Sequence, residues 1–251
     1  MPVEISNPAA LLHETLALVP GWEAASINLK PLPGGRTNHN FLVSVNGSLY
    51  VARIAAPNSH NLGIRRSDEF STLRAASTAG IAPKPVWIDN ERHILVSEFI
   101  PGRHWSPEDI RQSDNMLRLA DKLRATHEMR VSASEFNPVT LGCEFESRCA
   151  ADALSSVARE RWRIHVPAVV FRHKSGRKRC LCHNDINRGN FIDDGTRLWF
   201  IDWECAGIGD PFYDLAVTSR TTIASPLQKN PNSSRHISRT IPRQTLNIWS
   251  E

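Results

Sequence analysis

The sequence predicts an α+β fold in which an antiparallel sheet precedes a mostly helical region. In the first hundred residues, the apolar Phe41, Val43 and Val45 stand at every second position, and Asn46-Gly47 follows as a strong hairpin signal. Beyond Pro101-Gly102, which is typical of a linker, residues 107–129 carry apolar side chains at helical spacing. This change of period divides the chain into a sheet-rich part and a helical part.

The elements of the sheet-rich part are predicted from their periodicity and turn residues. A short helix is expected over residues 8–19. A second helix is expected over 67–79, with Ser67 as its N-cap and Gly80 as its stop. The predicted strands are Ile27–Leu32, Phe41–Val45, Leu49–Ile54, Pro85–Ile88 and His93–Phe99.

The second part of the chain is less regular. Residues 137–180 lack long amphipathic helices, although a helix near 150–163 fits the pattern. Residues 181–203 are strand-like around a tight Asp193-Asp194-Gly195 turn, and Pro211 suits the first turn of a helix. After about Val217 the composition becomes polar and rich in proline, so we expect the tail to lie outside the packed fold.

Composition narrows the classes of function. The net charge of +4 comes entirely from residues 219–251, so the rest of the chain has no basic surface bias and does not indicate a nucleic-acid binder. The sequence shows neither a signal peptide nor a membrane-spanning run, and its five cysteines form no disulfide-like framework, which predicts a cytoplasmic protein. Cys180 and Cys182 precede His183, but this C-x-C-H pattern lacks the usual zinc spacing.

The strongest chemical signal is the segment from His183 to Asn190, which fits H-x-D-x-x-x-x-N. In protein kinases this spacing belongs to the catalytic loop, where the aspartate accepts the proton of the attacking hydroxyl and the asparagine holds magnesium. The pattern therefore predicts Asp185 as a base and Asn190 as a metal ligand.

A second acidic motif, Ile201-Asp202-Trp203-Glu204, follows twelve residues after Asn190. The intervening segment resembles a hairpin, and a hairpin returns the chain to its starting point, so Asp202 should lie close to Asn190. Two oxygen ligands at one point are what a hard cation bridging phosphates requires. Asp202 is therefore a second predicted magnesium ligand.

The N-terminal hairpin of the predicted sheet supplies candidates for phosphate binding. Gly34 and Gly35 would let backbone amides approach phosphate oxygens. Arg53 ends a strand at the position where kinases place a phosphate-binding lysine. Its expected ion-pair partner is Glu69 on the following helix, with Asp68 as the alternative.

These segments resemble the choline/ethanolamine kinase and aminoglycoside phosphotransferase superfamily, on its choline kinase-like bacterial side. The matching segments are 32–41, 50–54, 95–102, 183–190 and 201–207, continued by 210–211 and 214–216. The resemblance implies a bilobal protein-kinase-like fold with a nucleotide-binding lobe over 1–100, a catalytic lobe over 101–217 and a tail over 218–251.

The resemblance also implies an activity and its cofactors. The implied activity is transfer of the γ-phosphoryl group of ATP to an alcohol, and the implied cofactors are ATP and magnesium. Residues expected to bind nucleotide are Gly34, Gly35, Thr37, Asn38, Arg53, Glu69, Glu98, Phe99 and Ile100. Glu204 and Trp203 are candidate acceptor or metal contacts, and His183 is expected to be structural. No membrane or nucleic-acid partner is implied.

The acceptor stays open among several alternatives. A choline- or ethanolamine-like alcohol is the first hypothesis, and thiamine or aminoglycoside acceptors are alternatives within the same class. A non-catalytic nucleotide-binding remnant is a different alternative, because the abrupt change after Val217 resembles a truncated or frame-altered product that lacks part of the acceptor lobe. The third alternative is a binding module whose basic tail binds nucleic acid.

Overall fold

The structure is a computed structural model that describes residues 8–33, 38–55, 63–148 and 178–223, with positions 156, 160, 161 and 164 between the last two ranges. The helices are α1 (Pro8–Leu16), α2 (Arg66–Thr78), α3 (Pro107–Arg111), α4 (Ser113–Glu128), α5 (Pro138–Arg148) and α6 (Pro211–Ile223). The strands are β1 (Ile27–Leu32), β2 (Asn38–Val45), β3 (Ser48–Ala55), β4 (Pro85–Asp89), β5 (Ile94–Glu98), β6 (Cys180–Cys182), β7 (Phe191–Asp193), β8 (Leu198–Phe200) and β9 (Gly207–Gly209).

A five-stranded antiparallel sheet forms the N-terminal half, in the order β1-β2-β3-β5-β4. The predicted turn between β2 and β3 is present: Asn46 and Gly47 both have positive φ, as a tight hairpin turn requires. The prediction of an antiparallel sheet with one inserted helix is thus confirmed.

Two apolar cores lie against this sheet. On one side, α1 covers the strands with Leu12 and Leu16, which are fully buried with Val43 and Ile54. A second cluster joins α2 to the C-terminal half, and it contains Phe70, Leu73, Leu123, Phe191, Phe200 and Trp203. Burial of these large side chains fixes α2 between the sheet and the helical region.

Helix α2 differs from the prediction at its start. It begins at Arg66 with Arg65 at the N-cap position, so Ser67 lies inside the first turn and the N-cap prediction is wrong. The prediction that the helix ends at Gly80 is confirmed, since Gly80 follows the helix with φ +67°. The early start matters because it brings Arg66 to the same end of the helix as Glu69.

The predicted helix over 107–129 is two helices. Ser106 and Asp109 form a capping box at the start of α3, and Gln112 then adopts an extended conformation that separates α3 from α4. The apolar spacing runs across the break because both helices face the same core, so the pattern alone did not reveal it.

The C-terminal predictions had mixed outcomes. The hairpin of β7 and β8 and the helix that starts at Pro211 are present, and α5 supplies a helix inside the region 137–180. Helix α6 continues to Ile223, so it enters the segment predicted to be a tail. Most of the predicted helix near 150–163 and all of residues 224–251 lie outside the described residues, and positions 156, 160 and 161 are helical. Among the described helices, none is long and apolar enough to cross a bilayer.

The connection from the sheet to the helical region is held against the β7–β8 hairpin. Arg103 and Asp193 exchange backbone hydrogen bonds of 3.0 and 2.9 Å. A β-carbon on Gly102 would lie 2.6 Å from the Asp193 carbonyl oxygen, so this close approach requires glycine. Trp105 and Arg118 also donate to the Asp193 carboxylate.

Candidate functional site

The loop after β6 presents the carboxylate of Asp185. The amide nitrogens of Asn187 and Asn190 donate to its two oxygens at 3.0 and 2.8 Å. Asn190 also donates to the Asp185 carbonyl oxygen at 2.9 Å. These donors lie two and five residues away, which explains why the spacing of the motif was visible in the sequence.

The backbone of this loop is fixed from outside by Asp214 of α6. Its carboxylate is fully buried and accepts hydrogen bonds from the amides of His183 and Asn184 at 3.0 and 2.7 Å. Asn184 has φ +65°, a strained conformation for a non-glycine residue that these bonds support. Sequence reasoning noted Asp214 within a matching segment but assigned it no function.

His183 is buried and acts as a structural hydrogen-bonding residue within the described fold. Its Nε2 lies 3.0 Å from the carbonyl oxygen of Ile201, and its Nδ1 is 3.4 Å from the amide of Asp185. Burial lowers the pKa of His183, so the ring is neutral at neutral pH. This geometry ties the loop to the segment that carries Asp202.

Arg53 and Glu69 form the predicted ion pair, and both side chains are buried. Around this pair lies a charged network, which consists of Arg53, Arg66, Glu69, Asp202 and Glu204. Arg53 also reaches Asp202 at 3.1 Å, and Arg66 bridges Glu69 and Glu204 at 2.7 and 3.1 Å. Arg66 was missed by sequence reasoning, because an arginine at the start of a helix usually faces solvent.

The positive and negative charges of the network do not cancel. Two guanidinium groups face three carboxylates, which leaves one net negative charge. Burial alone would lower the pKa of Arg53, but Glu69, Asp202 and Glu204 together raise it, so Arg53 stays cationic. Burial and the Glu204 carboxylate raise the pKa of Asp202 to about 7, against the attraction of Arg53. The single Arg53 charge is shared among three carboxylates and does not fully compensate Asp202.

Asp202 carries a carboxylate at the end of the segment that returns to the Asp185 loop. It adopts a left-handed conformation with φ +65°, and about a third of its side chain is exposed. The amide of Ile201 donates to the carbonyl oxygen of Asn190 at 3.0 Å, so the chain does return to the loop as predicted. Carboxylate and amide oxygens of this kind suit a hard divalent cation.

The remaining predicted site residues have different surroundings. Asn38 donates to Glu204 at 2.8 Å and so belongs with the charged network. Glu98 ends β5 and is exposed, and Phe99 and Ile100 follow it half-buried. Gly34, Gly35 and Thr37 lie outside the described residues.

Trp203 is not placed to contact an acceptor. Its side chain is 1% exposed, its ring packs 4.7 Å from that of His183, and its Nε1 donates to the Phe200 carbonyl oxygen. The prediction took the aromatic ring of Trp203 as accessible, but the tight turn after Asp202 directs it into the core. Glu204, by contrast, borders an open cavity of about 300 Å³.

That cavity lies between α2, α5 and the segment 204–207. Its charged lining residues are the acidic Asp68, Glu135, Glu144 and Glu204 and the basic Arg65, so the acidic groups are in excess. Phe136 adds an aromatic ring to the wall and packs against Tyr213, with ring centroids 5.3 Å apart. The cavity therefore combines negative charge with an aromatic surface.

The chain is similar to known proteins in sequence and in fold. Over 193 residues it is 27% identical to protein LicA of Haemophilus influenzae, a match that covers 73% of this chain and 55% of that protein, so the chain spans about half the length of this relative.

Among solved structures, choline kinase LicA of Streptococcus pneumoniae aligns with a TM-score of 0.74 at 23% identity, over 87% of this chain and 76% of that one. A structure of LicA in complex with AMP aligns with the same TM-score and identity, over 86% and 75%. These likenesses confirm the predicted kinase-like fold. The sequence pattern of the phosphotransferase enzyme family matches residues 28–236, and the chain therefore belongs to the phosphotransferase enzyme family.

Proposed function

We propose that the protein transfers the γ-phosphoryl group of ATP to the hydroxyl of a small molecule in a magnesium-dependent reaction. The observation that carries the proposal is the junction between the Asp185 loop and the charged network. The amide of Ile201 donates to the carbonyl oxygen of Asn190, and the neighbouring Asp202 lies 3.1 Å from Arg53. Catalysis of this transfer depends mainly on positioning and neutralisation of charge.

Asp185 is proposed as the base for the acceptor hydroxyl. Its carboxylate is held by Asn187 and Asn190, which fixes the direction in which its oxygens accept a proton.

Asn190 and Asp202 are proposed to hold magnesium. Asn190 uses its amide nitrogen on Asp185, so its Oδ1 is the atom that a cation would contact. The excess negative charge around Asp202 is what a bound cation would relieve. Held by Asn190 and Asp202, magnesium would supply positive charge that offsets the negative charge of the phosphates.

Arg53 is proposed to contact nucleotide phosphate, with Glu69 holding it in place. The loop of Gly34, Gly35 and Thr37, together with Asn38 at the start of β2, would contact the phosphates, and the segment Glu98–Ile100 would lie beside the base. Support comes from the fold shared with LicA in complex with AMP.

The cavity beside Glu204 is proposed as the acceptor site. Its acidic lining and the Phe136 ring suit a cationic alcohol, through charge and cation–π attraction. At about 300 Å³ it lies at the small end of ligand pockets, which favours a choline- or ethanolamine-like acceptor over an aminoglycoside. The choline kinase relative supports the same class.

An acceptor screen tests this function. The purified chain is incubated with magnesium-ATP and a panel containing choline, ethanolamine, thiamine and an aminoglycoside, and phosphorylated product is detected by mass spectrometry. We expect product with choline or ethanolamine and far less product from Asp185→Ala. Nucleotide binding without transfer to any acceptor would instead favour a non-catalytic remnant.

A further inference from the structure

A second cluster of ligand-type side chains lies away from the proposed nucleotide site. Cys180 and Cys182 stand at alternate positions of β6, so both thiols are on the same face of the strand. Their sulfur atoms are 4.0 Å apart. His127, near the end of α4, completes the cluster, and one ligand atom from each of the three residues lies within 4.8 Å of the others.

The strand paired with β6 presents glycines opposite both cysteines. β6 pairs with β9, in which Gly207 and Gly209 oppose Cys182 and Cys180 and contribute no side chain. A β-carbon at Gly209 would lie 3.6 Å from the Cys182 sulfur. Cys182 is buried and Cys180 is half-exposed, so the cluster can be reached from the Cys180 side.

The histidine is oriented in the way that metal-binding histidines usually are. Its Nε2 lies 2.9 Å from the buried carboxylate of Asp214, which makes Nδ1 the ligand atom for a metal. A carboxylate behind a metal-bound imidazole fixes the ring and its tautomer.

We propose that Cys180, Cys182 and His127 form a binding site for Zn²⁺. Zinc–sulfur bonds of about 2.3 Å at tetrahedral to trigonal angles place two sulfur atoms about 3.8–4.0 Å apart, and the observed separation is 4.0 Å. The fourth position would be open to water on the Cys180 side. Two thiolates and an imidazole favour zinc over magnesium, which takes oxygen ligands.

The structure also explains why the C-x-C-H pattern lacks zinc spacing. His183, the histidine of that pattern, already uses its ring nitrogens on Ile201 and Asp185. The third ligand comes instead from α4, which packs against β6.

The site is one side chain away from the Asp185 loop. The same Asp214 carboxylate accepts from His127 and from the amides of His183 and Asn184. A metal on His127 would therefore stiffen the support of that loop. The zinc proposal itself is independent of phosphoryl transfer, because it needs neither nucleotide nor acceptor.

Metal titration of the full chain tests the proposal. The reduced, metal-free protein is titrated with Zn²⁺ in the presence of excess Mg²⁺ and a competing coloured chelator, and Co²⁺ serves as the spectroscopic probe. We expect one Zn²⁺ per chain, a rise in Tm with bound zinc, and thiolate-to-Co²⁺ charge-transfer absorption.

Three variants and one control assign the ligands. Cys180→Ser, Cys182→Ser and His127→Gln should each lower Zn²⁺ affinity about 100-fold or more, since each removes a direct ligand. Cys143→Ser changes an exposed thiol of α5 and should leave affinity unchanged.

If the buried Cys182 or His127 variants fail to fold, Cys180→Ser carries the test, with its metal-free thermal unfolding compared with that of the parent. Zinc affinity in folded Cys180→Ser equal to that of the parent would overturn the proposal. So would a Co²⁺ complex without thiolate absorption.

Discussion

The charged network and the Asp185 loop are neighbours, yet they are held by different interactions. The network joins full charges from distant parts of the chain, since Arg53 and Asp202 are 149 residues apart in sequence. The loop holds its carboxylate with neutral amides two and five residues away. A change in the network should therefore affect folding stability first, because it leaves a buried charge without its partner, whereas a change in the loop should affect the reaction first.

The largest effect is expected from Asp185→Ala. Loss of general-base assistance should lower kcat about 10²–10⁴-fold, while nucleotide affinity and Tm stay close to the parent values. Steady-state kinetics with the acceptor found in the screen, together with nucleotide titration, measure both quantities. Asn187→Ala is the matched control, because it keeps the carboxylate and removes one donor, and it should lose less. Near-normal turnover of Asp185→Ala would contradict the assignment of the base.

The next effect concerns the network. Arg53→Met leaves Glu69 buried with Arg66 as its remaining partner, and it should lower the free energy of unfolding by about 3–5 kcal/mol. Urea unfolding measures the loss. The double variant Arg53→Met/Glu69→Leu removes both charges and should recover part of the stability. A double variant less stable than Arg53→Met would show that the pair is not the source of the cost.

A smaller effect should appear in the pH dependence of stability. The pKa of Asp202 is raised from 3.8 to about 7 in the folded protein. Between these values the folded protein binds a proton that the unfolded chain does not bind, so the contribution of Asp202 to stability falls as pH rises through this range. Asp202→Asn removes the titration, so its stability relative to the parent should be higher at pH 8 than at pH 5. An equal difference at both pH values, measured by urea unfolding, would refute the raised pKa.

The smallest effect is expected from an exposed pair. Arg124 and Asp121 are 3.1 Å apart on α4, with side chains 42% and 73% exposed. Asp121→Asn should change the free energy of unfolding by less than about 1 kcal/mol, because solvent screens such a pair. A loss as large as that of Arg53→Met would mean that burial does not explain the difference between the two regions.

The same contrast explains what could be predicted from the sequence. Asp185, Asn190 and the Asn46-Gly47 turn depend on contacts between near neighbours, so their spacing predicts them. The Arg53–Glu69 pair was predicted because the protein-kinase pattern, a strand-borne cation paired with a glutamate of the next helix, supplied the long-range contact. Arg66 and the position of His127 beside Cys180 depend on how helices pack on strands, which no local pattern contains. Trp203 was misjudged because its direction is set by the backbone of Asp202.

The two backbone hydrogen bonds between Arg103 and Asp193, which we call the clamp, affect the order in which the chain folds during synthesis. Strands β1 to β5 come from one continuous stretch, so the sheet has all its partners once residue 98 has left the ribosome. Asp193 follows Trp105 by 88 residues, which at about 5–20 residues per second takes roughly 4–18 s.

During that interval Phe70 and Leu73 of α2 remain exposed, because Phe191 and Phe200 of the same apolar cluster have not yet been synthesised. We expect nascent chains stalled near residue 140 to protect the sheet from protease and to bind hydrophobic dyes, and chains that include β8 to lose the dye. Equal dye binding at both lengths would reject this order of assembly. The newly made protein is thus most exposed to aggregation after its sheet has formed and before the clamp closes.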